Sequence, residues 1–124
     1  MLNLDRFWQE PRGAAPALLT WHGVALGKPD FTRQSHSLAW ELRSPETGEH
    51  LWAACNVWRE PLCFQLPEPL PGRAWRRVVD TERASPLDFQ PPAEAERVGK
   101  PYCWVQPRSV VLLVAVEEGA AAVA

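Results

Sequence analysis

Residues 36–57 read HSLAWELRSPETGEHLWAACNV, and this stretch decides the fold. From residue 36 to residue 43, large apolar side chains alternate with small or polar ones, which is the period-two pattern of a half-buried strand. Residues 44–49 contain Ser, Pro, Thr and Gly and are typical of a turn, and the alternation then resumes over residues 50–57. The stretch therefore predicts two antiparallel strands joined as a hairpin.

Further short strands are predicted on both sides of this hairpin. An extended run around Trp21 precedes it, and four more strands are predicted at 62–66, 75–79, 102–106 and 109–116. The apolar residues of 110–114 occupy both faces of their strand, as expected for a central strand of a sandwich. About seven short strands separated by Pro and Gly, without helical periodicity, predict an all-β fold. We expect an antiparallel β-sandwich of about seven to eight strands.

The composition is that of one folded domain. The chain has 124 residues, of which 46% are hydrophobic, and its seven Trp residues supply material for a core. Residues 11–16, PRGAAP, are typical of a linker because Pro and Gly disfavour regular structure. We therefore expect an N-terminal arm and linker over residues 1–17, a folded domain over residues 18–116 and a frayed tail over residues 117–124.

Charge and cysteine content argue against several classes of partner. Thirteen basic and fifteen acidic residues give a net charge of -2 without any Lys/Arg-rich block, which argues against nucleic acid and against an anionic membrane surface. Three cysteines are an odd number, which favours a reducing compartment. No stretch has the roughly 18 apolar residues of a membrane span, and no secretion signal is evident. We expect a cytoplasmic protein.

No motif in the chain indicates a catalytic or metal site. Asp30, Asp80 and Asp88 are the best candidates for the paired carboxyls of glycoside hydrolysis, which stand about 5 to 9.5 Å apart. Aspartates beside Pro, Thr or a turn are, however, more often acceptors for local backbone N–H groups. The three His and three Cys residues show neither Cys-x-x-Cys nor His-x-x-x-His spacing, so we predict no metal and no cofactor.

Four segments, in order along the chain, carry a more specific signal. They are LTWHGVALGKPDF at 19–31, NVWREPL at 56–62, WRRVVDT at 75–81 and VQPRSVV at 105–111. This ordered set resembles the carboxy-terminal β-domain of isoamylase-type glycogen debranching enzymes, which belong to glycoside hydrolase family 13 of the α-amylase superfamily. The resemblance covers about Leu18 to Ala115. It departs from the family pattern at Arg59, where relatives tend to continue an aromatic run.

The resemblance implies a β-sandwich that packs beside a catalytic (β/α)8 barrel, the part that hydrolyses α-1,6 branch points of glycogen-like glucans. A complete barrel takes about 250 residues, so a chain of 124 cannot contain both parts. No catalytic residue is transferred to this chain, and we expect the isolated chain not to be an enzyme.

The tryptophans are the remaining functional signal, because a flat ring can stack on the apolar face of a sugar or pack in a protein interface. Trp52 and Trp58 are the candidates for carbohydrate contact, and Trp21 and His22 are the candidates for an interface with the barrel. The tryptophans expected in the core are Trp40 and Trp75. Three hypotheses follow: an accessory domain that packs against a barrel, a stand-alone α-glucan-binding module with at least two exposed, roughly coplanar Trp rings, or a free-standing hydrolase. The third would require a cleft with paired carboxyls.

Overall fold

The computed structural model describes residues 18–32 and 35–118, and the regular structure within them is entirely β-strand. The strands are β1 Leu18–His22, β2 Ser37–Arg43, β3 His50–Asn56, β4 Leu62–Gln65, β5 Arg73–Asp80, β6 Glu96–Val98, β7 Tyr102–Val105 and β8 Ser109–Glu117. The predicted arm and linker at 1–17 and most of the predicted tail, 119–124, lie outside the described residues. β8 continues through Glu117, one residue past the expected end of the domain. The described part has no helix long and apolar enough to cross a membrane.

The strands form two antiparallel sheets. One has six strands in the order β1-β2-β3-β8-β5-β6, and the other consists of β4 and β7. The predicted all-β sandwich is thus confirmed. The predicted hairpin is also present, because β2 pairs with β3 from Ser37↔Asn56 to Arg43↔His50. Its turn requires a glycine: Gly48 has φ of 75°, a conformation that residues with a side chain rarely adopt.

The main core lies between the two sheets. Alternate residues of β3 point toward the β4–β7 sheet, and there the rings of Trp52 and Phe64 meet edge to face with centroids 5.9 Å apart. This inner cluster contains Ala39, Trp52, Ala54, Phe64, Leu66, Trp75, Cys103, Val105, Val111, Leu113 and Ala115. The core position predicted for Trp75 is therefore confirmed, and Trp52 shares it.

The opposite, outer face of the six-stranded sheet is also apolar. It carries a second cluster of Leu42, Leu51, Val78, Ala95 and Val114, against which Trp40, Val79, Leu112 and Val116 pack. Trp40 is thus half-buried on the outer face and does not lie between the sheets. Apolar residues on both faces of β8 follow from its central place, since it pairs with β3 on one side and β5 on the other.

β6 was not predicted from the sequence. It has only three residues, Glu96–Val98, and pairs with β5 through Trp75↔Val98 and Arg77↔Glu96. The segment between β5 and β6 is irregular, and it runs beside β5 because Gln90 N–H donates to the carbonyl of Val78. This strand completes the edge of the large sheet next to β7.

Candidate functional site

Residues 19–31 form β1 and the loop after it, and close backbone contacts hold that loop. A Cβ atom on Gly23 would lie 2.4 Å from the carbonyl oxygen of Lys28, so only glycine fits there. Gly27 has φ of 69°, and its N–H donates to Nδ1 of His22 at 2.7 Å. The same loop reaches the small sheet, because Leu26 N–H donates to the side chain of Gln65. The Trp-His-Gly segment therefore connects the two sheets.

His22 belongs to a buried hydrogen-bond network. Its Nε2 lies 2.8 Å from Oε1 of Glu41, and the second oxygen of Glu41 lies 2.5 Å from Nε2 of His50. Because Nδ1 of His22 accepts the Gly27 N–H, we assign the proton of the neutral ring to Nε2, from which it is donated to Glu41. His22 is buried, so the prediction that it offers a surface to a barrel is wrong.

The carboxylate of Glu41 is the charged centre of this network. Burial raises its pKa, but hydrogen bonds donated by His50 and His22, together with electrostatic attraction to the two imidazole rings, outweigh burial and leave the pKa below its ordinary value. Both carboxylate oxygens are occupied by imidazole partners, so Glu41 serves to tie β1, β2 and β3 together. Across residues 18–32 and 35–118, no group of three or more His, Cys, Asp or Glu is arranged to hold a metal ion.

The two tryptophans predicted to contact sugar, Trp52 and Trp58, lie in different environments. Trp52 is fully buried between the sheets, so its assignment to carbohydrate binding is wrong. Trp58 is partly exposed, but the ring of His36 stacks on it with centroids 4.4 Å apart, and the Arg59 guanidinium lies 4.9 Å from its centre. The ring of Trp58 is thus engaged by the protein itself. Arg59, the departure from the family pattern, has a local structural role here.

Trp21 lies in a group of apolar side chains that we call the outer aromatic patch: the exposed Leu19, Trp21 and Phe31 and the half-buried Trp40. Trp21 is opposite Trp40 in the β1–β2 pairing, and its ring also meets that of Phe31 at 5.9 Å. Trp21 is 41% exposed and Phe31 is 67% exposed. β1 stands at the edge of the sheet. Exposed apolar patches of this kind mark contact surfaces for other proteins.

A second surface opens between β7 and the β5–β6 end of the large sheet. It is a groove of about 470 Å³, and we call it the corner groove. Arg77 and Asp80 of β5 border it on one side, while Tyr102 and Trp104 of β7 border it on the other. Sequence reasoning missed Trp104. The available signal was the alternation in β7, where Cys103 and Val105 point into the core and their neighbours point outward.

Most charged groups of the corner groove form ion pairs, whereas the Lys100 ammonium lies 5.6 Å from the centre of the Tyr102 ring. The Asp80 carboxylate lies 3.5 Å from Arg77 and 3.4 Å from Arg83, and Arg83 also binds Glu96 at 2.8 Å. Cys103 lies beside them, and burial raises the pKa of its thiol although nearby Arg77 opposes this in part. An activated thiolate nucleophile is therefore absent at this position.

The three aspartates considered for glycoside hydrolysis have structural roles. Asp30 accepts the N–H of Thr32 at 2.9 Å, which makes it a turn residue. Asp80 is buried between two arginines and accepts the N–H of Glu82. The backbone carbonyl of Asp88 accepts the N–H of Asp80. Among the described residues, these contacts assemble no catalytic pair of carboxyls.

The fold is that of an antiparallel β-sandwich domain. A family model described as isoamylase 1-3, C-terminal, matches residues 20–104, and the chain belongs to this family. The resemblance predicted from the four segments is thereby confirmed.

Individual relatives agree with this assignment. The chain is similar to the chloroplastic isoamylase 1 of Oryza sativa subsp. japonica, with 38% identity over 71 residues, which cover 57% of this chain and 9% of the relative. It is also similar to the isoamylase of Flavobacterium sp, with 29% identity over 115 residues, which cover 87% of this chain and 14% of the relative. The chain thus spans only 9% to 14% of the length of these curated relatives.

Proposed function

We propose that this chain is the non-catalytic accessory β-domain of a glycogen debranching enzyme and that its outer aromatic patch packs against a catalytic (β/α)8 barrel. The hydrolysis of α-1,6 branches then belongs to the barrel. The observation that carries this proposal is the exposure of Trp21 and Phe31 beside an edge strand, in a family whose members are isoamylase C-terminal domains. The three free cysteines support a reducing, cytoplasmic location as part of the same proposal.

The geometry of the patch favours protein packing over sugar stacking. The ring of Trp21 makes an angle of 82° with that of Phe31 and 56° with that of Trp40. A glucan chain needs roughly coplanar rings, whereas rings that meet at steep angles give an uneven surface suited to interdigitation with side chains. Aromatic side chains of this kind often dominate the free energy of a protein interface.

The proposal predicts that the patch stabilises a barrel. We suggest a chimera in which this chain replaces the matching segment of the Flavobacterium sp isoamylase, with thermal inactivation of debranching activity as the measurement. The double variant Trp21→Ser/Phe31→Ser should inactivate about tenfold faster than the unsubstituted chimera, since removing interface aromatics commonly costs more than about 1 kcal/mol.

The matched control is Trp58→Ser, which removes a tryptophan outside the patch and should leave inactivation of the chimera unchanged. A truncated isoamylase that lacks the segment gives the baseline. Equal inactivation rates for the chimera and the truncated enzyme, or for the double variant and the unsubstituted chimera, would contradict the proposal.

A further inference from the structure

We propose that the corner groove binds a neutral oligosaccharide, an α-glucan chain, through stacking of a glucose unit on the ring of Trp104. The choice of α-glucan as the sugar rests on the proposed function. The site differs from the two tryptophans that the sequence indicated for sugar binding, and it is distinct from the outer aromatic patch.

Trp104 is the tryptophan best placed to receive a ligand. It is 53% exposed, more than any other Trp in the described part of the chain. In that part, no other ring or cation lies against it, whereas Trp58 is covered by His36 and Arg59. Its flat apolar face is therefore free, and an exposed indole combines such a face with an N–H donor at its rim.

The backbone beneath this ring is held in place. Cys103 and Val105 are buried in the inner core on either side of Trp104. Tyr102, 36% exposed, projects from the same side of β7 two residues away, at a spacing of about 6.6 to 6.8 Å along the strand. The two aromatic residues thus form a short row, in which the Lys100 ammonium lies 5.6 Å from the centre of the Tyr102 ring and Trp104 keeps the free stacking face. Both residues are held in place, so binding would order little of the protein.

The groove next to this row offers donors and acceptors without a large net field. Arg83 is held by Asp80 and Glu96, and Arg97 pairs with Glu118, so most of the charge is compensated within the protein. Among the described residues, Lys100 is the lining cation without an ion pair, so a phosphate or another anion would find a single uncompensated charge there. Paired guanidinium and carboxylate groups still present N–H donors and oxygen acceptors at the groove, which suits the hydroxyl groups of a neutral sugar. The volume of about 470 Å³ lies within the range of small-ligand sites.

The test is titration of the full chain with maltoheptaose and with glycogen, followed by calorimetry and Trp fluorescence. We expect saturable binding that Trp104→Ala weakens about tenfold, that Trp104→Phe weakens less, and that Trp58→Ala leaves unchanged. Thermal melting of each variant shows that it is folded. Affinity should also be insensitive to added NaCl and to inorganic phosphate, because the ligand is neutral.

Several results would overturn this inference. The first is that the folded wild-type chain shows no saturable binding at millimolar sugar. The second is that Trp104→Ala binds as tightly as wild type, or that Trp58→Ala loses binding while Trp104→Ala keeps it. The third is that phosphate competes with the sugar. The proposed docking role is judged separately, because Trp104→Ala in the isoamylase chimera should leave its thermal inactivation unchanged. If the chimera is stable but the chain does not bind glucan, the groove proposal is refuted and the docking proposal is not.

Discussion

Replacing Trp52 with alanine should lower the free energy of unfolding by about 3 to 5 kcal/mol, the usual range for truncating a large aromatic side chain in a core. Trp52 is fully buried in the inner cluster, where its ring contacts Phe64 across the two sheets. Its loss would leave a cavity at the place where the large sheet packs on the small one. Urea unfolding followed by far-UV circular dichroism measures the effect.

Trp52→Phe is the matched control for this prediction. The indole N–H of Trp52 is buried without a hydrogen-bond partner among the described residues, so phenylalanine removes volume but no hydrogen bond. Its cost should therefore be well below that of alanine. Near-native stability in Trp52→Ala would show that the ring is not in the core, and would restore Trp52 as a candidate for sugar contact.

The wrong prediction of sugar contact for Trp52 shows how much of this fold the alternation of side chains along a strand can predict. The period-two pattern correctly placed Trp52 on the face of β3 opposite Leu51 and Cys55, but it could not say which face meets the second sheet. Both faces of β3 carry apolar residues, since the outer face has a cluster of its own. The face of β3 that becomes the inner core is the one on which β4 and β7 pack. Contacts between residues far apart in sequence set the position of these two strands.

The functional surfaces were harder to predict for a similar reason. The buried network of His22, Glu41 and His50 joins residues that are 19 and 9 positions apart, and no local motif indicates that pairing. The corner groove depends on β6, whose three residues are too few to show a period. By contrast, Trp21 could be chosen from the sequence as a candidate for a protein interface, because it lies in the segment 19–31 that carries the family resemblance.

Glu41→Gln should destabilise the protein by about 1.5 to 3 kcal/mol, the range for hydrogen bonds to a charged group. Both oxygens of Glu41 lie within hydrogen-bond distance of an imidazole nitrogen, one from His22 and one from His50. A glutamine side chain has the same shape but only one oxygen, and its amide N–H would face an imidazole N–H. One buried histidine would thus lose its acceptor at the junction of β1, β2 and β3.

The pH dependence gives this prediction a second readout. The pKa of Glu41 is lowered in the folded state from an ordinary value of 4.5, so on acidification the unfolded chain takes up this proton first. The contribution of the carboxylate is fully present above the unfolded pKa and is lost as pH falls through the lower, folded pKa. The stability difference between wild type and Glu41→Gln should therefore be largest near pH 7 and shrink toward about pH 3.

Glu117→Gln separates this effect from the general loss of a negative charge. Glu117 lies at the end of β8 with its carboxyl largely exposed and 3.8 Å from Arg73, so neutralising it should change the free energy of unfolding by less than about 1 kcal/mol. Urea unfolding of wild type, Glu41→Gln and Glu117→Gln, near pH 7 and at about pH 3, distinguishes the outcomes. A gap between wild type and Glu41→Gln that stays constant or widens in acid would mean that the carboxylate is not held ionised by the two histidines, and that the network stabilises the sheet through shape alone.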